Sequence, residues 1–147
     1  MDLKAILDEW SVDSKIDDHK LDETSRDTPK LHAKYLQWLA EAKLAKKREE
    51  FKQKTLLKHK WLWYNGKMSE EQIRQLGWDY DPLDGLKIMK GEMDYYYDSD
   101  PEIQKSEEKV QYWKTIVETL TEIITNLNWR HQTIGNIIRW KQFEAGT

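Results

Sequence analysis

The strongest constraint in the sequence is an apolar repeat towards its C-terminal end. Trp113, Ile116, Leu120, Ile123, Leu127, Ile134 and Ile137 follow one another in steps of three and four residues, with Arg130 in the one skipped slot. Only an α-helix returns side chains to one face at that interval. Val110, Val117, Ile124 and Ile138 add a second row on a seven-residue spacing. The combined face is wider than the seam of a two-stranded coiled coil. Either the chain's own core covers it, or another copy does. The rest of the chain offers little to cover so wide a face, so self-association is the favoured reading. Its candidate residues are Trp113, Ile116, Val117, Leu120, Ile123, Ile124, Leu127, Ile134, Ile137 and Ile138.

The remaining segments also read as helices, which makes the expected class all-α with long helices. Leu3, Ile6, Leu7 and Trp10 form a short amphipathic helix, and residues 11–27 are polar and acidic, with at most one turn. Thr28-Pro29 is a strong helix start, a hydroxyl N-cap before proline at the first position. No Gly or Pro follows until Asn65-Gly66. The expected helix is about 55 Å long at 1.5 Å per residue, too long for a compact monomer of this size. Ser69-Glu70-Glu71-Gln72 reads as a capping box for a helix ending at Gly77, and Asp100-Pro101-Glu102 opens the last helix. Residues 78–100 read as irregular, with room for a short extended piece. At 147 residues the chain fits one helical domain: N-terminal helices in 1–66, an acidic segment in 67–100, and an oligomerisation helix in 101–147.

Chemistry is quickly narrowed. Without cysteine there are no disulfides, thiolate metal sites or Cys nucleophiles. His19, His32, His59 and His131 stand too far apart for a metal-ligand spacing. Asp79, Asp81 and Asp84 resemble half a calcium loop, but Pro82 and the missing terminal glutamate spoil it. There is no phosphate-binding glycine loop or catalytic triad, so neither an enzyme nor a cofactor is expected. No stretch is long and apolar enough for a membrane span, and the acidic N-terminus lacks a signal-peptide run, which points to the cytoplasm.

Charge is distributed unevenly. Residues 1–28 carry four basic and nine acidic side chains, residues 41–60 eight and three, and residues 79–108 three and ten. The basic block lies between two acidic ones, and local potential is what steers a polyanion. Lys43, Lys47, Lys54 and Lys58 fall within about a 60° sector of a helix at 100° per residue. They run into His59, Lys60, Trp61, Trp63 and Tyr64, joining phosphate contacts to stacking groups. That combination suits single-stranded nucleic acid, and no double-helix reader motif is present. A lysine-rich face that is merely solvated, with Trp61 and Trp63 in a core, is the competing reading. On an ideal helix Lys58 and Lys60 point about 200° apart, so one strand does not meet both equally.

Several stretches also resemble, in order, the UvsY family of recombination mediators of T-even-type bacteriophages. They are Ile16-Asp17, Lys20-Leu21, Lys34-Tyr35-Leu36, Leu57-Lys58-His59-Lys60 with Tyr64 and Gly66, Glu92-Met93, Asp100, Gln111-Tyr112-Trp113 and Phe143-Glu144-Ala145-Gly146. Residues 67–91 depart from the pattern. The resemblance implies a protein that binds single-stranded DNA and helps load a phage RecA-like recombinase onto strands coated by single-strand binding protein. The processes implied are homologous recombination, recombination-dependent replication and repair, in the cytoplasm of an infected bacterial host. It further implies a ring-like homo-oligomer, a heptamer, assembled through the C-terminal region. The family's paired basic DNA-binding positions fall on Lys58 and Lys60, the second being arginine in the family pattern. The alternative is a structural helical assembly or scaffold protein without DNA specificity.

Overall fold

The computed structural model describes residues 1–146 and contains, among them, five helices and no strand. They are α1 (Leu3–Asp13), α2 (Leu21–Tyr64), α3 (Glu70–Leu76), α4 (Met93–Ser99) and α5 (Pro101–Glu144). The class is all-α, as the periodicity implies. None of the helices is long and apolar enough to cross a membrane.

Helix ends follow local chemistry in most places. The Asp2 carboxylate accepts from the Ala5 amide at 2.8 Å and starts α1. Ser69 Oγ accepts from the Gln72 amide at 3.2 Å and starts α3. Asp100 Oδ1 accepts from the Glu102 and Ile103 amides at 2.9 and 3.2 Å and starts α5. Each satisfies an amide that the first turn of a helix leaves without a partner. At the other end of α2, Gly66 takes φ 67°, and the Lys67 and Gly66 amides donate to the Leu62 and Trp63 carbonyls. That pair of bonds is a Schellman stop, and it needs a residue free to enter the left-handed region.

Two expectations about helix bounds are corrected. α2 begins at Leu21, eight residues before Pro29, so Thr28-Pro29 lies inside the helix. The Thr28 hydroxyl does not cap; it donates back to the Thr24 carbonyl at 2.9 Å. An interior proline costs about 3 kcal/mol. Half-buried Leu21, Thr24, Thr28 and Leu31, with acidic Asp22 and Glu23 in the first turn, carry the helix through it. The second correction is α4, which replaces an irregular segment. It has no side-chain cap; instead Tyr96 packs on Tyr64 at 5.7 Å between ring centroids, and the Tyr97 hydroxyl donates to the Leu57 carbonyl at 3.2 Å.

The chain forms two compact units, to both of which α2 and α5 contribute. The first comprises Met1–Leu44 and the chain from Trp113 onward. Its core joins Ile6 of α1, Tyr35, Leu39 and Ala42 of α2, and Ile116, Leu120, Ile123 and Leu127 of α5. Burying each large aliphatic side chain is worth about 1.5–3 kcal/mol. Trp10 and Trp38 meet the Tyr35 ring edge to face, at 5.6 and 5.2 Å. The Tyr35 hydroxyl donates to Asp13, which also pairs with Lys34 at 2.5 Å. Arg130 is buried, and its Nη2 donates to the carbonyls of Asp13 and Lys15 at 3.1 and 2.9 Å. It therefore fills the skipped slot of the apolar repeat by capping the end of α1.

This packing corrects the reading of the repeat as a free self-association face. Ile116, Leu120, Ile123, Leu127 and Ile134 are buried within one chain, and Trp113, Val117 and Ile124 pack against the same core. α1 and the first half of α2 supply the cover. Ile137 is half-buried and Ile138 exposed. In the first unit α5 also exposes Trp129, Trp140 and Phe143, the last two with stacked rings 5.5 Å apart.

The second unit, Ala45–Tyr112, holds the rest of α2, all of α3 and α4, and the start of α5. Met68, Ile73 and Ile103 are its buried apolar anchors beside the aromatic cluster Trp63, Tyr64, Trp78 and Tyr96.

Candidate nucleic-acid interface

Within the second unit, the outward face of α2 alternates cations with rings. Lys47, Phe51, Lys54, Lys58 and Trp61 fall within about an 80° sector at 100° per residue. All five are exposed. From Lys47 to Trp61 the face is about 21 Å long at 1.5 Å per residue. The Phe51 ring, 56% exposed, lies under the ammonium groups of Lys47 and Lys54, 5.1 and 5.8 Å from its centroid. One step on, Trp61 is 41% exposed, with Lys67 Nζ 4.7 Å over its ring. Lys47 is also near Glu50 at 3.8 Å, whereas Lys58 has no ion-pair partner among the described residues. The pattern is cation, ring, cation, repeated once. Such an arrangement binds phosphates through its ammonium groups and stacks bases on its rings.

The nine residues singled out in the sequence separate into three groups. Lys47, Lys54, Lys58 and Trp61 share the face. Lys43 is exposed on the same helix but belongs to the first unit, and His59 is half-buried, about 100° round the helix from Lys58. Lys60, Trp63 and Tyr64 turn inward. Two contributors were missed. Phe51 sits four residues after Lys47 and three before Lys54, so helical spacing alone could have found it. Lys67 reaches Trp61 only because the Schellman turn folds it back.

Lys60 is the marked departure from an exposed contact. It is 3% exposed, with Nζ 3.1 Å from Asp100 Oδ2 and 3.5 Å from Glu102 Oε1. Its ammonium group lies 4.0 Å from the Trp78 ring centroid and 4.5 Å from that of Trp63. The Tyr64 hydroxyl donates to the same Asp100 oxygen at 2.6 Å. Burial alone pushes the Asp100 carboxyl up. The Tyr64 hydroxyl, Lys60 and the Ile103 amide outweigh it and hold the group below the usual carboxylate value. Burial, and then the Asp100 carboxylate, push the Tyr64 hydroxyl well above the ordinary phenol range. Asp100 thus ties the end of α2 to the first turn of α5, with Lys60 neutralising it. The Trp63 indole is likewise committed, donating to the Asp79 carbonyl at 2.8 Å.

Among the described residues no group of three His, Asp or Glu side chains is placed to hold a metal ion. The chemistry on offer at this face is recognition of a polyanion with exposed bases.

Comparison with known proteins identifies the family of the chain. The model of the UvsY family, described as "Recombination, repair and ssDNA binding protein UvsY", matches residues 9–147. Among solved structures, the bacteriophage T4 recombination mediator protein UvsY in one crystal lattice superposes with a TM-score of 0.83 at 24% identity, covering 99% of this chain and 98% of that one. Two further lattices of the T4 protein give TM-scores of 0.81 and 0.80 at 23% and 22% identity. They cover 95% and 98% of this chain and 98% and 99% of theirs. No curated protein sequence matches significantly. With the family model spanning nearly the whole sequence and the fold shared throughout, the chain belongs to the UvsY family of recombination, repair and single-strand DNA-binding proteins.

Proposed function

We propose that the chain is a recombination mediator. It holds single-stranded DNA along Lys47, Phe51, Lys54, Lys58, Trp61 and Lys67, and helps a phage RecA-like recombinase load onto strands coated by single-strand binding protein. Its processes are homologous recombination, recombination-dependent replication and repair, in the cytoplasm of an infected bacterium. The observation that carries this is the alternation of unburied ammonium groups with unburied rings on one face of α2, in a chain of this family. Lys60, Trp63 and Tyr64 support the face from behind it.

The working form is a homo-oligomer, a heptameric ring. Because the inner stripe of α5 is occupied, the contacts between copies fall on Trp129, Ile138, Trp140 and Phe143, with Ile137 at the edge. Many weak basic sites on one assembly hold a strand by avidity. The test is filament nucleation by the cognate recombinase on DNA precoated with single-strand binding protein, with and without this chain. Faster nucleation supports the proposal. Oligomers that neither speed nucleation nor prefer single over double strands point instead to a structural assembly protein.

A further inference from the structure

The basic face ends beside a cleft. It measures about 570 Å3 and is lined by residues 63–68 and by the loop after α3, from Tyr80 to Ile88. Binding clefts for small organic groups fall in the range of about 300–1,000 Å3. The lining includes Trp63, Lys67, Glu70, Tyr80, Asp81 and Leu86. Tyr80 and Leu86 are 70% and 75% exposed, so an apolar rim stands open to solvent.

The loop wall is preformed. Asp81 and Asp84 hold φ of 55° and 50°, conformations that side-chain-bearing residues seldom adopt, and the Asp81 carboxylate accepts from the Gly85 amide at 2.9 Å. The Trp63 indole bond to the Asp79 carbonyl fastens the start of this segment to α2.

The charges in the cleft balance, and its polar groups suit a base. The carboxylates of Glu70 and Asp81 stand with the ammonium groups of Lys67 and Lys87, offering acceptors to exocyclic amino groups and donors to ring carbonyls. Lys67 lines the cleft while its Nζ lies over Trp61, the last ring of the basic face. A strand following that face therefore arrives at Lys67 with its phosphates on the lysine and a base facing a cleft that joins an apolar rim to hydrogen-bonding groups.

We infer that this cleft is a base-binding subsite, taking one unstacked base of the strand that the basic face holds. The inference rests on the reading of that face as a single-strand track, and deepens it by adding a contact to a base rather than to the backbone. Tyr80 and Leu86 cover the base, and Lys67 holds its phosphate.

The experiment compares the full-length chain with a Tyr80→Ala/Leu86→Ala variant, binding an oligo(dC) strand and an abasic strand of equal length by fluorescence anisotropy. Both side chains stand mostly in solvent, so truncating them leaves the core intact. Losing one stacked base corresponds to about a 5- to 150-fold weaker affinity. The expected result is a loss of that size for oligo(dC), with an unchanged salt slope and little change for the abasic strand. Equal losses on the two strands, or no loss on either, overturn the subsite and leave the basic face standing. Failure of the unmodified chain to bind either strand overturns both.

Discussion

Replacing Lys60 by methionine removes one charge while keeping most of the side chain's length and its place between two indoles. The thioether contacts aromatic rings favourably, which offsets part of the lost cation–π contact. What remains is Asp100, buried at 3% exposure and deprived of an ammonium group 3.1 Å away. Breaking a buried pair from one side costs about 3–5 kcal/mol. The low end applies here, because the Tyr64 hydroxyl and the Glu102 and Ile103 amides still serve the carboxylate. The Glu102 side chain is 53% exposed, so its share of the pair is screened and adds little. A loss of about 3 kcal/mol lowers the melting temperature by about 6–12 °C in a chain of this size. Thermal unfolding followed by circular dichroism reads the shift directly. Lys58→Ala, at an exposed site without an ion pair, stays within about 0.5 kcal/mol of the parent. Asp100→Asn keeps a side-chain oxygen to cap α5 and removes the stranded charge, so the double variant regains part of the loss. A Lys60→Met protein as stable as its parent, yet with a flatter salt dependence of DNA binding, would refute this reasoning and make Lys60 an exposed phosphate contact.

Three further outcomes are expected. The folded state holds Asp100 below its ordinary value of 3.8, so its contribution to stability is present above that value and is lost as pH falls below it; an acid titration should show Asp100→Asn flattening that slope. Trp140→Ala combined with Phe143→Ala should reduce the mass measured by light scattering without shifting the melting temperature, whereas Leu120→Ala, at a fully buried site, should cost about 2–5 kcal/mol. Phe51→Ala should weaken binding of a short single strand by about 1–3 kcal/mol while leaving its salt slope unchanged, as measured by anisotropy at several salt concentrations.

Much of this architecture is written locally. Ser69, Gly77, Asp100 and Gly66 carry their roles as caps and stops in their own side chains or in the lack of one, and the structure uses each as the spacing implies. Thr28-Pro29 carries an equally local signal that tertiary packing overrides, because flanking half-buried residues hold the helix on both sides of the proline. α4 has no cap signal at all and exists through contacts of Tyr96 and Tyr97 with α2, more than thirty residues away in sequence. The same distinction runs through the binding face. Periodicity groups Lys47, Lys54 and Lys58, and the pattern of charge marks them. The fate of Lys60 depends on Asp100, forty positions on, and no spacing within α2 reveals that a carboxylate waits there. The apolar repeat on α5 likewise states that a face must be covered without stating by what; Tyr35, Leu39 and Ala42 give the answer for one chain.

The salt dependence of single-strand binding bears most directly on the basic face. Each phosphate neutralised on a single strand contributes about 0.7 to the slope of log affinity against log salt concentration. For the chain with Lys47, Lys54 and Lys58 all changed to alanine, the expected slope is shallower by about 2 for each subunit that touches the strand, with the melting temperature unchanged. A triple variant whose affinity and slope both match the parent's would contradict the assignment of this face to DNA.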